Sequence, residues 1–356
     1  MPTIRQIAQE AGVSKSTVSL ALRGDPRCST DTVEKVSKIA EQMGYRPNPL
    51  VKANMANMRL GGRSKQLRSI LAYFYDHSRG SPYELESFQG GSQRAEEQGF
   101  ILEPFSYNEP GLSPKRLLQI LRNRNVQGIL IGENDSPVMP IEFKFDEFAV
   151  ATIGYTVQEP RVDRIGYDHV ENMNQLYQDL RERGYQRVGL AIRADFDDRI
   201  THSPIASYLR YQSEQKLSDP LEPYVESKNW KQTSFLKWFR TNQPDCIVTV
   251  GNEIGSWLAK AKIRIPEDLG VFSIWGDLKE EKLDFSHFHV SVDQLARATI
   301  DVISDQLNSN SRGIPQQRRS ILIAGKVVDL NSLRPNPKQE VAQEHFNLSK
   351  NSSLAT

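Results

Sequence analysis

Thr3-Ile4-Arg5-Gln6-Ile7-Ala8-Gln9-Glu10-Ala11-Gly12-Val13-Ser14-Lys15-Ser16-Thr17-Val18-Ser19-Leu20-Ala21-Leu22 decides how the rest of this chain is read. Thr3 and Gln6 have capping-box spacing, in which each side chain satisfies the other's free amide. Ile4, Ile7, Ala8 and Ala11 follow at i, i+3, i+4 and i+7, a single helical stripe. Gly12 suits the left-handed residue that ends such a helix. Val13 points inward across the turn, and Ser14 is placed to cap a second helix almost at once. In that helix Val18, Ala21 and Leu22 form the buried face, leaving Lys15, Ser16, Ser19, Leu20 and Arg23 outward. Two helices joined by so tight a turn cross steeply, which is the helix-turn-helix arrangement. A third helix fits from a Ser29 or Thr30 cap to Met43, with Val33, Val36, Ala40 and Met43 inward and Gly44 closing it. Any three-helix mini-bundle shares this apolar pattern. The short, polar, basic outward face of the second helix is what singles out a DNA groove as its destination.

Charge agrees. The chain has 45 Lys/Arg and 44 Asp/Glu, a net charge of +1. Residues 1–68 hold 12 basic and 5 acidic side chains, which leaves 33 against 39 in the remainder. A basic head on an acidic body is expected where only the head approaches a polyanion.

Residues 3–8 together with 11–19 resemble the signature of LacI-type (LacI/GalR family) transcriptional regulators, with matching spacing and no gaps. The resemblance implies that Lys15, Ser16 and Leu20 read major-groove base edges, and that Thr3, Ser14, Thr17 and Asn48 contact the DNA backbone. Relatives commonly carry Arg where this chain has Leu20. Leucine cannot donate to guanine; it either presses on a thymine methyl or turns inward, while Lys15 can address guanine N7 and O6.

Arg46-Pro47-Asn48-Pro49 interrupts any helix, yet Asn48 as cap and Pro49 at the first helical position can start a new one. A short helix over 50–58 is expected, ended by Gly61-Gly62. In the family this hinge folds on DNA and wedges a leucine into the minor groove, kinking the duplex. Here that position is Asn54, with Met55 beside it as the alternative wedge and Lys52 among the basic groups near phosphate.

From Ser69 strand-like runs alternate with helical ones. Strands are expected over 70–75, 101–105, 128–132, 149–154, 188–192, 246–250, 271–275 and 289–292. Helices are expected near 83–98, 113–124, 168–184, 203–215, 252–262 and 293–308. Such alternation implies an α/β body of parallel sheets with right-handed crossovers, in two lobes. The family's body, which resembles a periplasmic binding protein, gives the same picture, and Ile265-Pro266-Glu267-Asp268-Leu269-Gly270-Val271 adds to the likeness. The expected organisation is a headpiece at 1–47, a hinge at 48–68, an effector-binding and dimerisation body at 69–334, and a polar, disordered tail at 335–356.

Ligands of open parallel sheets sit beyond the carboxyl ends of the strands. Candidates are therefore Tyr75, Asp76, Asp135, Asp197, Arg199, Asn252, Trp275 and Asp277. An arginine at the Arg199 position grips ligand hydroxyls or carboxylates in the family; a surface salt bridge is the other reading. Sugar-binding relatives place an aspartate where this chain has Trp275, whose indole either stacks on a sugar or fills the cleft.

The resemblance thus implies a homodimer on a pseudo-palindromic double-stranded operator, modulated by a small-molecule effector, with a carbohydrate the expected class. A ligand-independent repressor with an occluded cleft is the alternative. Phosphate-cradling loops, metal-ligand spacings and a partnered nucleophile are missing from the sequence, so no enzyme, cofactor or metal is expected. Cys28 and Cys246 are too far apart in sequence to suggest a disulfide framework. With no apolar run approaching 18 residues and no secretory pattern, the expected location is the cytoplasm.

Overall fold

The computed structural model describes residues 4–22, 28–43, 69–79, 85–134, 137–139, 143–215, 219–275, 285–289 and 291–337. Gly44, the hinge at 48–68 and the tail beyond 337 lie outside them.

Three helices open the chain: α1 (Ile4–Ala11), α2 (Lys15–Ala21) and α3 (Thr30–Gln42). Each starts or stops as the local chemistry demands. Gly12 adopts φ +65°, a conformation that side chains disfavour, and the Val13 amide turns back to the Ala8 carbonyl at 3.1 Å. Ser14 Oγ accepts from the Thr17 amide at 3.0 Å and Ser29 Oγ from the Thr32 amide at 3.3 Å. Ile7, Ala8, Ala11, Val18, Ala21, Val36 and Ala40 are buried together, with Val13, Leu22, Val33 and Met43 packed against them.

The chain divides into two compact units, Met1–Gly132 with Pro140–Ala151 and Arg297–Gln317 in one, and Glu133–Met139 with Thr152–Ala296 and Arg318–Thr356 in the other. Beyond the headpiece come β1 (Ser69–Tyr75), α4 (Glu86–Glu97), β2 (Phe100–Ser106), α5 (Pro114–Asn123), β3 (Val126–Ile131), β4 (Ala149–Ile153) and β5 (Asp163–Tyr167). There follow α6 (His169–Glu182), β6 (Val188–Arg193), α7 (Ala194–Arg199), α8 (Ser203–Gln215), β7 (Tyr224–Glu226), α9 (Gln232–Asn242) and β8 (Cys246–Thr249). The last elements are α10 (Glu253–Lys260), β9 (Gly270–Ser273), β10 (Ser286–His289), α11 (Val292–Asn308), β11 (Ser320–Ile323) and β12 (Lys326–Val328).

One six-stranded sheet runs β11-β5-β4-β3-β1-β2 and another β12-β10-β9-β8-β6-β7. β1 pairs in parallel with β2 and β3, and β5 with β11; in the second sheet only the β10–β12 pair is antiparallel. A strand's successive side chains leave opposite faces, so a sheet covered on both sides reads apolar throughout. The second sheet follows that rule. Val188, Leu190, Ile192, Cys246, Val248 and Phe272 pack with Leu176, Tyr208 and Tyr211 of α6 and α8. Ala191, Ile247 and Val271 pack with Phe235, Ile254 and Leu258 of α9 and α10. Gly189 lets α9 close in, because a Cβ there would lie 2.8 Å from Trp238. In the first sheet, Gln306 of α11 holds both backbone groups of Val150 in β4, at 2.7 and 3.1 Å.

Three expectations need correction. The strand expected over 289–292 is Ser286–His289, and Val292 already begins α11. The helix α9 and the strands β5, β7, β11 and β12 have no counterpart in the periodicity reading. β5 carries two buried charged residues, Asp163 and Arg164, and β7, β11 and β12 are three or four residues long. The body also continues past 334: Asn336 is buried and donates to Asp179 of α6 at 2.7 Å.

Candidate functional site

The headpiece presents its candidate residues on one short helix. Lys15 and Ser16 are exposed on the first turn of α2, and Leu20, one turn on, is half-buried. Val18 between them is fully buried, which fixes the rotation of α2 and hence the direction of the outward face. Ser14 Oγ lies 2.7 Å from Ser16 Oγ and 2.8 Å from Thr17 Oγ1, so these hydroxyls form a linked cluster at the start of the helix. The arrangement is a rigid turn that offers one ammonium, three hydroxyls and one apolar side chain. Thr3, Asn48, Lys52, Asn54 and Met55 lie outside the described residues.

The body candidates divide by unit. In the first, Tyr75 ends β1 half-buried and Asp76 follows it. Asp76 Oδ1 accepts from the Ser78 amide (2.9 Å), the Ser78 hydroxyl (2.6 Å) and Asn108 Nδ2 (2.9 Å). Burial raises the carboxyl pKa, but the bonds from Ser78 and Asn108 outweigh it, and the group stays below its ordinary range. Asp76 is thereby built into the turn after β1.

In the second unit, Arg199 at the end of α7 is exposed and makes no side-chain hydrogen bond or ion pair among the described residues. Asp197 does not face outward beside it. It is 1% exposed, takes His202 Nδ1 at 2.7 Å and accepts from the Ile205 amide at 3.4 Å. The turn between α7 and α8, where Thr201 and His202 have φ of 60° and 58°, draws this carboxylate inward as its anchor. Asn252 stands at the N-cap of α10, after β8. Trp275 follows β9, and Ser273 Oγ ties the two loops by donating to the Trp275 carbonyl (2.7 Å) and accepting from the Gly251 amide (3.1 Å). Asp135 and Asp277 lie outside the described residues.

The Trp275 ring meets Tyr167 edge-on, with centroids 4.7 Å apart and planes at 73°. Tyr167 ends β5, a strand that periodicity missed, so its place beside Trp275 was also missed. His169 lies 5.9 Å from Tyr167 and 5.2 Å from Tyr155, extending a run of rings. Burial pushes the His169 imidazole down to about 4, only partly offset by Asp168, so it is neutral at physiological pH. The Ile165-Gly166-Tyr167 alternation was the one signal available for this strand.

Residues 3–48 match the family model described as bacterial regulatory proteins, lacI family, and residues 177–329 match a periplasmic binding protein-like domain. The headpiece is a LacI-family helix-turn-helix. The HTH-type transcriptional regulator PtxS of Pseudomonas plecoglossicida is 27% identical over 196 residues, 55% of this chain and 54% of that protein. The chain thus spans about half the length of the curated relatives it matches. Two solved structures share the fold across 93% of the chain. One is the transcriptional regulator CelR–cellobiose complex (TM-score 0.51, 16% identity, all of that chain). The other is the lac repressor dimer bound to operator and the anti-inducer ONPF (TM-score 0.51, 15% identity, 99% of that chain). The likeness covers the helix-turn-helix and the two-sheet α/β plan. No helix among the described residues is long and apolar enough to cross a membrane.

Proposed function

We propose that this chain, with its LacI-family headpiece, is a sequence-specific DNA-binding transcriptional regulator rather than an enzyme. It works in the cytoplasm as a homodimer on a pseudo-palindromic double-stranded operator, and a small ligand of carbohydrate type tunes its affinity. The observation that carries the reading is the capped, steeply turned α2, whose buried Val18 aims Lys15, Ser16 and Leu20 outward. A palindrome read twice offsets the few contacts one small headpiece offers. The dimer on operator seen for the lac repressor supports that arrangement. Ser14 and Thr17, with Thr3 and Asn48, hold the backbone, and Lys52, Asn54 and Met55 serve the hinge at the minor groove.

Selection from random duplexes tests the base-reading assignment. Lys15→Ala should lose about 1–3 kcal/mol of operator affinity and relax the preference at one guanine. The base pair facing Leu20 should favour thymine. A strong guanine preference opposite Leu20 would remove that assignment.

The ligand residues we assign are Arg199, Asn252 and Trp275 in the second unit and Tyr75 and Asp76 in the first, with Asp135 and Asp277 as further candidates; Asp197 acts behind Arg199 by holding its turn. The exposed guanidinium of Arg199, without a hydrogen bond or ion pair among the described residues, supports the assignment, and the cellobiose complex of CelR suggests the ligand class. The Tyr167–Trp275 ring contact favours a second reading, in which Trp275 fills the site and the regulator needs no ligand. A thermal-shift panel of sugars, sugar acids and sugar phosphates separates the two. A ligand at 100 times its Kd adds roughly 2.7 kcal/mol, and Arg199→Ala should abolish it.

A further inference from the structure

Arg164 is 2% exposed, yet among the described residues no carboxylate pairs with it. Its Nη2 donates to the Val157 carbonyl at 3.1 Å, its guanidinium carbon lies 5.1 Å from the Tyr155 ring centre, and its Nε is buried without an acceptor. The neighbouring carboxylate, Asp163, is taken by Arg319, whose amide, Nε and Nη2 donate at 2.8, 2.9 and 2.7 Å. Two further cations bear on the same place. Exposed Arg161 and half-buried Arg318 both act on Arg164 electrostatically, and among the described residues neither makes an ion pair.

This arrangement is unfavourable as it stands. A buried cation without a counter-ion is destabilising, and an arginine cannot shed its proton as a lysine would. Burial, then Arg318, lowers the Arg164 pKa to about 10, which still leaves it fully charged at neutral pH. The protein nevertheless builds a seat for it. Gly166 has no side chain because Tyr155 lies against it; a Cβ there would sit 2.6 Å from the ring. The Tyr155 hydroxyl donates to the Tyr167 carbonyl at 3.0 Å, which fixes the ring under the guanidinium. The Arg164 amide donates to the Arg319 carbonyl at 3.0 Å, which brings Arg318 alongside through the β5–β11 pairing. An acceptor with several oxygens suits the fork of a guanidinium whose Nε has no partner among the described residues.

We propose that Arg164, with Arg161 and Arg318, forms an anion-binding site for the phosphate or carboxylate group of a small molecule. It is separate from the Arg199, Asn252 and Trp275 set and does not rest on that assignment. The anion enters between Arg161 and Arg318 and is gripped from behind by Arg164. The rings of Tyr155, His169, Tyr167 and Trp275 then link this site to the loop after β9.

The test uses the full chain without DNA, titrated with inorganic phosphate and, separately, with citrate, at ionic strength held constant with chloride. Binding is read by calorimetry and by the thermal midpoint. Saturable binding is expected, weakened at least about tenfold in the Arg161→Ala/Arg318→Ala double variant, which removes two charge-assisted contacts. Both positions are accessible enough for the variant to fold. Arg264→Ala, at an exposed arginine paired with Asp268, should leave binding unaltered. The preferred anion distinguishes a phosphate ligand from a carboxylate one. A midpoint that rises without saturation, and equally in the double variant, would mean general anion exclusion from the surface and overturn the site. Absence of binding by both anions would overturn it as well.

Discussion

The headpiece and the second sheet are both stabilised by burial, but on very different scales. Four of the seven fully buried headpiece residues are alanines, and Ile7 is the largest of the set. The second sheet buries Phe235, Phe272, Tyr208 and Leu190 among many others, on both of its faces. A small core of small side chains removes little apolar area from water, so caps and turns account for a larger share of headpiece stability. That suits a module whose functional groups must stay outside. The body instead holds its strand ends still with a deep core.

The sharpest way to break this comparison is to empty one core position. Phe272→Ala in β9 should lower stability by about 3–5 kcal/mol, seen as a reduced urea midpoint for the body. A loss under about 1 kcal/mol would deny the sheet its stabilising role. Next in size, Ser14→Ala should destabilise α2 by about 1 kcal/mol. Amide exchange at Thr17 and Val18 in the DNA-free protein should speed up, with the body's transition unmoved. If the headpiece amides keep their protection, the caps matter less than proposed here. The smallest effect concerns His202, whose pKa is raised above 6.5 by its hydrogen bond to Asp197, with Asp197's charge adding to it. Because the folded value is the higher one, this stabilisation is complete below about pH 6.5 and fades as pH rises through the raised pKa. The imidazole is exposed, so the slope should be slight, and His202→Gln should abolish it.

Headpiece side chains were legible because their partners are near in sequence. Helical spacing alone put Val18 inside and Lys15 outside, and Gly12 and Ser14 marked the turn. In the body the same reading found β1 to β4, β6, β8 and β9 within a few residues, since buried parallel strands are plain apolar runs. It failed at β5, where Asp163 and Arg164 interrupt the run. Both are buried, one against Arg319 and the other against the Tyr155 ring. It also failed at Asp197: the sequence DFDD does not say which carboxylate turns inward, and the choice is made by a turn that α8 completes.

The sequence by itself therefore determined the helix-turn-helix, its outward face, the alternating α/β body and the LacI-type headpiece signature. All of these are encoded in local periodicity, capping chemistry and turn residues. Only the tertiary structure decided that Trp275 meets Tyr167, that Asp197 is an anchor, that Asn336 belongs to the body, and that Arg164 is buried with no carboxylate partner among the described residues. Each of these depends on residues many positions apart, brought together by sheet pairing that local spacing does not encode.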